Sequence, residues 1–323
     1  MLIHFKSLFG KLLVTTLAAF VPLAAHAWPD RPIKLVVPYG PGGGTDILAR
    51  ILIPQLNEAL GQQVVVDNKA GGSSIIGTQY VANAKPDGYT LLMVDSALMV
   101  NPSLRTLPYD TQKDFSSIIH LASGPVILVA NPSLKANTVQ ELVALAKKEP
   151  GKLFYGSGGN GASTHLAGEL FKIEAGVKID HIPYKGSGGA MAAVIADTVP
   201  ITFTGISSAR SPVEAGRLKA LAVTGQARNA AMPNVPTFAE SGLPGVEASS
   251  QWGVLGPAGL PQAVINKINQ AFNKVLRDPS VIEKVIGLGY TTAGGTPADY
   301  ANLTNSEIAK WKKVVDTAGI KIQ

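Results

Sequence analysis

The chain has 323 residues, 46% hydrophobic and 15% charged, with 28 basic against 22 acidic side chains, a formal net charge of +6 and no cysteine. This composition supplies ample core material for a folded chain of up to two domains and excludes an intrinsically disordered one. It also excludes a disulfide framework and thiolate zinc sites, while the mild positive charge suits an anionic ligand.

In chain order, Lys6 and Lys11 precede an apolar run from Leu12 to Ala25, and Ala25-His26-Ala27 has the small-x-small pattern of a cleavage site. Residues 1–27 therefore read as a secretory signal peptide, too short for a comfortable membrane span, with an uncleaved anchor as the alternative. The mature chain would begin at Trp28 in the periplasm of a Gram-negative bacterium.

The apolar strand Ile33–Val37 runs into Tyr39-Gly40-Pro41-Gly42-Gly43-Gly44-Thr45-Asp46, and a helix over Thr45–Leu60 follows, with Ile47, Leu48, Ile51, Leu52, Leu56 and Leu60 at helical spacing. Pro54 is expected to kink that helix or start a second segment, and Gly61 to close it. Strand Val64–Val66, helix Ile75–Ala84, the turn Pro86-Asp87-Gly88 and strand Leu91–Val94 come next. Strand Val126–Ala130 precedes a helix Val139–Lys148, for which Thr138 and Glu141 form a capping box. The alternation continues with strand Leu153–Tyr155, helix Ser163–Ala175, strand Ile179–Pro183, helix Ala190–Ala196, strand Ile201–Thr204, helix Pro212–Gly216 and strand Ala220–Val223. After Trp252 three helices dominate: Pro261–Leu276, Pro279–Leu288 and Pro297–Thr317.

Such alternation predicts an α/β fold of parallel sheets with helices on both faces, ligands binding beyond the carboxyl ends of the strands. Three glycine turns lie at those ends: the first at Gly42–Gly44, the second Gly156-Ser157-Gly158-Gly159-Asn160-Gly161, the third Tyr184-Lys185-Gly186-Ser187-Gly188-Gly189. Each can present backbone N–H groups at a helix start, where the macrodipole favours an anion. Ordinary βα turns also carry glycine, so the inference rests on three together.

Other readings of the same residues stand beside this one. Gly156–Gly161 satisfies the G-x-G-x-x-G dinucleotide pattern, with Asp180 as the ribose acid. His165 could serve Ser157 or Ser163 as a base, or hydrogen-bond locally at a helix start; no G-x-S-x-G elbow and no metal motif is present. Lys185 could pair with a ligand carboxylate or be a solvated loop lysine. Asp46 is expected to cap the first helix, with holding ordered water or a ligand amino group as the alternative. Ser96 and Thr204 follow strands and either face the cleft or cap turns. The basic runs Lys147-Lys148 and Lys312-Lys313 are too short for a nucleic-acid stripe.

From Trp28 onward the chain resembles the Bug family of periplasmic solute-binding proteins, the TctC-like binding components of tripartite tricarboxylate transporters. The resemblance rests on Trp28-Pro29-Asp30-Arg31-Pro32-Ile33, Val37-Pro38-Tyr39-Gly40-Pro41-Gly42-Gly43-Gly44-Thr45-Asp46, Pro86-Asp87-Gly88-Tyr89-Thr90-Leu91 and Leu107-Pro108-Tyr109-Asp110. It continues through His165-Leu166-Ala167-Gly168-Glu169-Leu170-Phe171, His181-Ile182-Pro183-Tyr184-Lys185-Gly186, Leu218-Lys219-Ala220-Leu221-Ala222-Val223-Thr224-Gly225 and Pro233-Asn234-Val235-Pro236-Thr237.

The resemblance implies two Rossmann-like lobes around a ligand cleft that closes like a flytrap. Lobe one would be 28–124 plus 252–323 and lobe two 125–251, with hinges near Ser123–Pro125 and Ser249–Trp252. It implies a carboxylate held by loop backbone and water, without a salt-bridging arginine, at Tyr39, Gly42, Gly43, Gly44, Thr45 and Asp46. On the other lobe the positions are Ser157, Gly158, Asn160, Ser163, Thr164, Tyr184, Lys185, Gly186 and Ser187, and His165 beside them, at a helix start, is a further candidate for ligand contact. Many members have an acid or Asn where this chain has Phe203-Thr204-Gly205, which points to a plain carboxylic acid over aspartate or glutamate. The expected function is capture of a small mono-, di- or tricarboxylate, aromatic acids included, for uptake. The expectation is a monomer, no enzyme, with no cofactor, metal or nucleic acid, and with the transporter's membrane subunits as partners. A ligand sensor for a two-component system and an exported enzyme using His165 are the alternatives.

Overall fold

The computed structural model describes residues 28–159, 161–184 and 187–320. Residues 1–27, where the signal peptide is expected, and the candidate residues Asn160, Lys185 and Gly186 lie outside the described residues.

Short apolar runs, several buried on both faces, produce two sheets. The first is built from β1 (Ile33–Val37), β2 (Val64–Asn68), β3 (Thr90–Val94), β4 (Phe115–Gly124), β10 (Ser250–Pro257) and β11 (Thr291–Thr292), in the order β11-β4-β10-β3-β1-β2. The second comprises β5 (Val126–Ala130), β6 (Phe154–Ser157), β7 (Asp180–Pro183), β8 (Ile201–Gly205) and β9 (Lys219–Val223), in the order β7-β6-β8-β5-β9.

Neither sheet is purely parallel, contrary to the expectation from the alternation. β1, β2 and β3 are parallel, as are β6, β7 and β8, but β10 is antiparallel to β3 and β4, and β5 to β8 and β9. The reversed strands are the first that the chain forms after each passage between the sheets. β4 continues through Pro125 into β5, and β10 brings the chain back.

Ten helices cover these sheets among the described residues. In the first half they are α1 (Gly44–Leu60), α2 (Ile75–Ala82), α3 (Ala97–Leu104), α4 (Val139–Lys148) and α5 (Ser163–Ala175). Then follow α6 (Ser187–Ile195), α7 (Ile206–Glu214), α8 (Gln262–Val275), α9 (Pro279–Gly287) and α10 (Pro297–Ala318). The two-residue period of the strands splits the core. Ile33, Leu35 and Val37 face one cluster with Leu48, Leu52 and Leu56 of α1 and Ile268 and Phe272 of α8. Val36, Leu92 and Val94 face another, which runs on through Leu98 and Met99 of α3 to Leu128, Tyr155, Phe171 and Phe203 of the second sheet. Trp311 and Val315 of α10 join that same cluster, so the last helix packs on both α3 and α5.

Local signals explain most helix ends, with two corrections. α1 is continuous through Pro54, which lies on the exposed face, where water can reach the Arg50 carbonyl that the missing N–H would have bonded. At α4, Thr138 Oγ1 accepts from Glu141 N at 3.1 Å, but Glu141 reaches back one residue too far, to Asn137 N at 2.6 Å. A full capping box occurs instead at Thr296 and Asp299, opening α10. No helix among the described residues is long and apolar enough to cross a membrane.

Candidate functional site

A cavity of about 330 Å³ opens between the sheets, within the size range of small-ligand sites. From the first sheet come Tyr39 after β1, Ser73, the Asp95-Ser96-Ala97 segment after β3, and Val100, Asn101 and Arg105 of and after α3. From the second come Gly158, Gly159, Gly161, Ala162 and Ser163, leading from β6 into α5, and Ser250 starts β10 beside them. The cavity thus sits beyond the carboxyl ends of β1, β3 and β6, as the α/β rule requires. A larger hollow of about 590 Å³, lined by Arg31, Tyr80 and Asp87 among others, takes no residue from the second sheet or from a glycine turn. The cavity between the sheets is therefore the candidate.

On the first-sheet side the Tyr39 hydroxyl donates to Asp95 Oδ1, which also accepts from Ala97 N at 2.9 Å. Burial pushes the Asp95 carboxyl above its ordinary range against the pull of these two donors, and burial beside Asp95 pushes the Tyr39 phenol well up. Ser96 Oγ accepts from Gln251 N at 2.8 Å, tying the start of α3 to β10. Asn101 Nδ2 donates to Ser73 O at 2.9 Å and holds the loop after β2 against α3.

The second-sheet side is a turn latched by its own side chains. Thr164 Oγ1 accepts from Gly158 N at 3.0 Å, Ser157 Oγ from Gly159 N at 3.1 Å, and His165 Nδ1 from Gly161 N at 3.0 Å. Three of the turn's N–H groups are thus engaged within the protein. The N–H groups of Ser163 and Thr164, in the first turn of α5, have no carbonyl one turn back within the helix to bond. The dipole of α5 adds its positive end there.

Beneath the turn lies a buried stack. The His165 and His181 rings are 4.0 Å apart, Tyr155 stacks on His181 at 4.9 Å, and His181 Nε2 meets Ser157 Oγ at 2.6 Å. Glu169 accepts from Tyr155 at 2.7 Å and from Lys172 at 2.8 Å, and lies 3.8 Å from His165 Nε2. Burial lowers both imidazoles to about 4, helped by Lys172 at His165 and by the neighbouring ring at His181. Ser157 is wholly buried, so it offers no accessible nucleophile. His165 spends its acceptor nitrogen on Gly161, which leaves the local hydrogen-bonding reading of this residue in place of the base.

The dinucleotide reading fails on topology. Asp180 opens β7, at the end away from the carboxyl edge where a ribose acid would sit, and it is exposed.

The first glycine turn does other work than its sequence implied. Gly42, Gly43 and Gly44 do not line the cavity; Gly42 needs its φ of +83°, and a Cβ on Gly44 would lie 2.7 Å from the Tyr290 hydroxyl. Asp46 does not cap α1. Its carboxylate accepts from Gly42 N at 2.9 Å, from Arg50 at 2.9 and 3.0 Å and from Asn68 at 3.0 Å, folding the loop back on itself. Arg50 chiefly, with Gly42 N and Asn68, holds this carboxyl down at about 2 against the effect of burial. Thr45 Oγ1 accepts from Trp252 Nε1 at 3.0 Å, and Trp252 stacks on Tyr290 at 4.4 Å.

Of the remaining sequence candidates, Tyr184 packs its ring over Gly156 and Gly189, Ser187 starts α6, and neither lines the cavity. Thr204 is fully buried in β8, also outside the cavity lining, with its hydroxyl unpartnered. The acid that lines the cavity is Asp95, on the opposite sheet. Sequence reasoning missed Ser73, Asp95, Asn101, Arg105 and Ser250. Gly71-Gly72 before Ser73, and Asp95 beside Ser96 at a strand end, were usable signals; Arg105 and Ser250 carried none. Among the described residues no group of His, Cys, Asp and Glu is placed to hold a metal.

The family model described as tripartite tricarboxylate transporter family receptor (TctC) matches residues 48–320. Protein BugT of Bordetella pertussis is 35% identical over 313 residues, 96% of each chain. The structure of R. palustris Rpa4515 with adipate is 37% identical with a TM-score of 0.79, covering 91% of this chain and 99% of that one. MatC from Rhodopseudomonas palustris with bound malate is 27% identical with a TM-score of 0.74, covering 89% and 100%. The two-sheet α/β fold and these matches along most of the chain place it in the TctC (Bug) family of periplasmic solute-binding receptors, which are not enzymes.

Proposed function

We propose that this protein captures a small carboxylate in the periplasm and delivers it to the membrane subunits of a tripartite tricarboxylate transporter. The observation that carries the reading is the cavity of about 330 Å³ with the first turn of α5 on one side and the polar Tyr39, Ser96 and Asn101 on the other. A carboxylate there is held by charge-assisted hydrogen bonds from Ser163 and Thr164 N–H groups and from hydroxyls such as Ser96. The adipate and malate found with the two Rhodopseudomonas proteins support an acid of this size.

The lobes in this reading are 28–124 plus 252–323, and 125–251. Hinge closure occurs where the chain crosses between sheets, at Ser123–Pro125 and Ser249–Trp252. Ser123 Oγ donates to Gln251 at 2.6 Å and Thr224 Oγ1 meets Ser249 Oγ at 3.1 Å, so both crossings are tied together. α10 spans the join.

The test is a thermal-shift and calorimetric screen of the mature chain against butanoate, hexanoate, succinate, malate, adipate, citrate, aromatic carboxylates, aspartate, glutamate and NAD. A bound acid at 100 times its Kd adds about 2.7 kcal/mol of stability. No shift with any acid, or a shift with NAD alone, overturns the reading.

A further inference from the structure

Arg105 has a role that a backbone-only grip leaves out. It follows α3 directly, with its own N–H bonded to Asn101 O at 3.1 Å, and stands in the wall between the cavity and a neighbouring hollow formed by Tyr109, Asp110 and Gln112. Its Nε is shut off from solvent and has no hydrogen-bond partner. The acids on either side are committed elsewhere. Asp95 bonds Tyr39 and Ala97 N, and Asp110 pairs with Lys113 at 3.0 Å and accepts from Gln112 N at 2.9 Å. Among the described residues Arg105 takes part in no ion pair.

A guanidinium is charged at every relevant pH, and a donor withdrawn from water without an acceptor is unfavourable. The group that best satisfies it is a carboxylate, whose two oxygens match two parallel N–H donors. The other end of the cavity, at the first turn of α5, already suits one carboxylate. Resting on the proposed function, we infer that Arg105 is a specificity-determining residue that binds the second carboxylate of a linear dicarboxylate, so that the ligand class is diacids over monoacids.

Calorimetry with adipate and succinate against hexanoate and butanoate tests this on the mature chain. Wild type should bind the better diacid at least tenfold tighter than the monoacid of equal length. Arg105→Gln should remove that preference, weakening the diacid tenfold or more while leaving the monoacid within about threefold, and Arg105→Lys should restore part of it. Melting temperatures of the free variants confirm that each is folded; an unfolded Arg105→Gln leaves the Arg105→Lys comparison and the wild-type diacid preference to decide. Equal wild-type affinity for diacid and monoacid, or equal losses for both in the variants, overturns the inference while carboxylate capture stands. Binding of none of the acids overturns both.

Discussion

Acid should unlatch the turn that lines the cavity, and the buried histidines set where. His165 Nδ1 accepts the Gly161 N–H, so a proton on that nitrogen would set two donors against each other. Burial, then Lys172, hold His165 at about 4, against an ordinary value of 6.5, although Glu169 lies 3.8 Å away. Glu169 is already bonded to Tyr155 and Lys172. Because the folded value is depressed for a base, the unfolded chain takes up more protons between these two values. Stability is complete above about pH 6.5, falls as the pH drops, and levels off for this group below about pH 4. For His165, whose side chain is 6% exposed, the loss at pH 5 is about 2 kcal/mol. His181 acts in the same direction but is less buried, and a shared site cannot take both protons independently. The loss corresponds to roughly 4–8 °C in Tm. Urea unfolding at pH 7.5, 6.5 and 5 should show it. His165→Asn keeps an acceptor for Gly161 N–H and removes the titration, so its stability should change distinctly less over the same range. Equal losses in wild type and His165→Asn would refute the argument.

Further substitutions probe the scaffold. Gly168→Ala places a Cβ 2.2 Å from the Tyr155 ring, which its bonds to Glu169 and His165 O hold in place, so overpacking should cost about 1–3 kcal/mol in denaturant unfolding. Asp46→Ala frees Arg50, Asn68 and Gly42 N together and should destabilise by about 1–3 kcal/mol; Tm unchanged in that variant would mean the loop holds itself. Gly159→Val forces a side chain onto a φ of +125° within 3.2 Å of Tyr184 O and should reduce both Tm and acid binding. Gly43→Val, where φ is −76° and the nearest atom to a Cβ is 3.7 Å away, should leave Tm within about 2 °C. Circular dichroism melts and calorimetry on the pair decide between these outcomes.

Residues acting on near neighbours were legible. The Val126–Ala130 strand, the Val139–Lys148 and Ser163–Ala175 helices and the αL glycine after α1 follow from periodicity and capping alone. α3 and β10 were not legible. α3 is apolar around most of its surface and contains Pro102, so it shows no helical stripe. β10 is buried on both faces and holds Gly253 and Gly256, which blur any two-residue alternation. Gly253 is there because the Tyr300 ring fills the place of its Cβ, at 2.1 Å, and Tyr300 is 47 positions along the chain.

The sequence by itself determined the α/β class and the placing of glycine turns at strand ends, because these depend on spacings of two to four residues. Only the tertiary structure decided which turns share a cavity and what faces it. Ser250 and Ser96 share a cavity with Gly158 and Ser163, and the Nε of Arg105 loses its solvent, through packing between segments far apart in the chain. The same packing turned Gly44 into a seat for Tyr290 and Asp46 into a loop clamp. Local propensity holds no record of such partners, since the burial that removes a polar group from water, and so determines what it must bind, exists only once distant segments have closed over it.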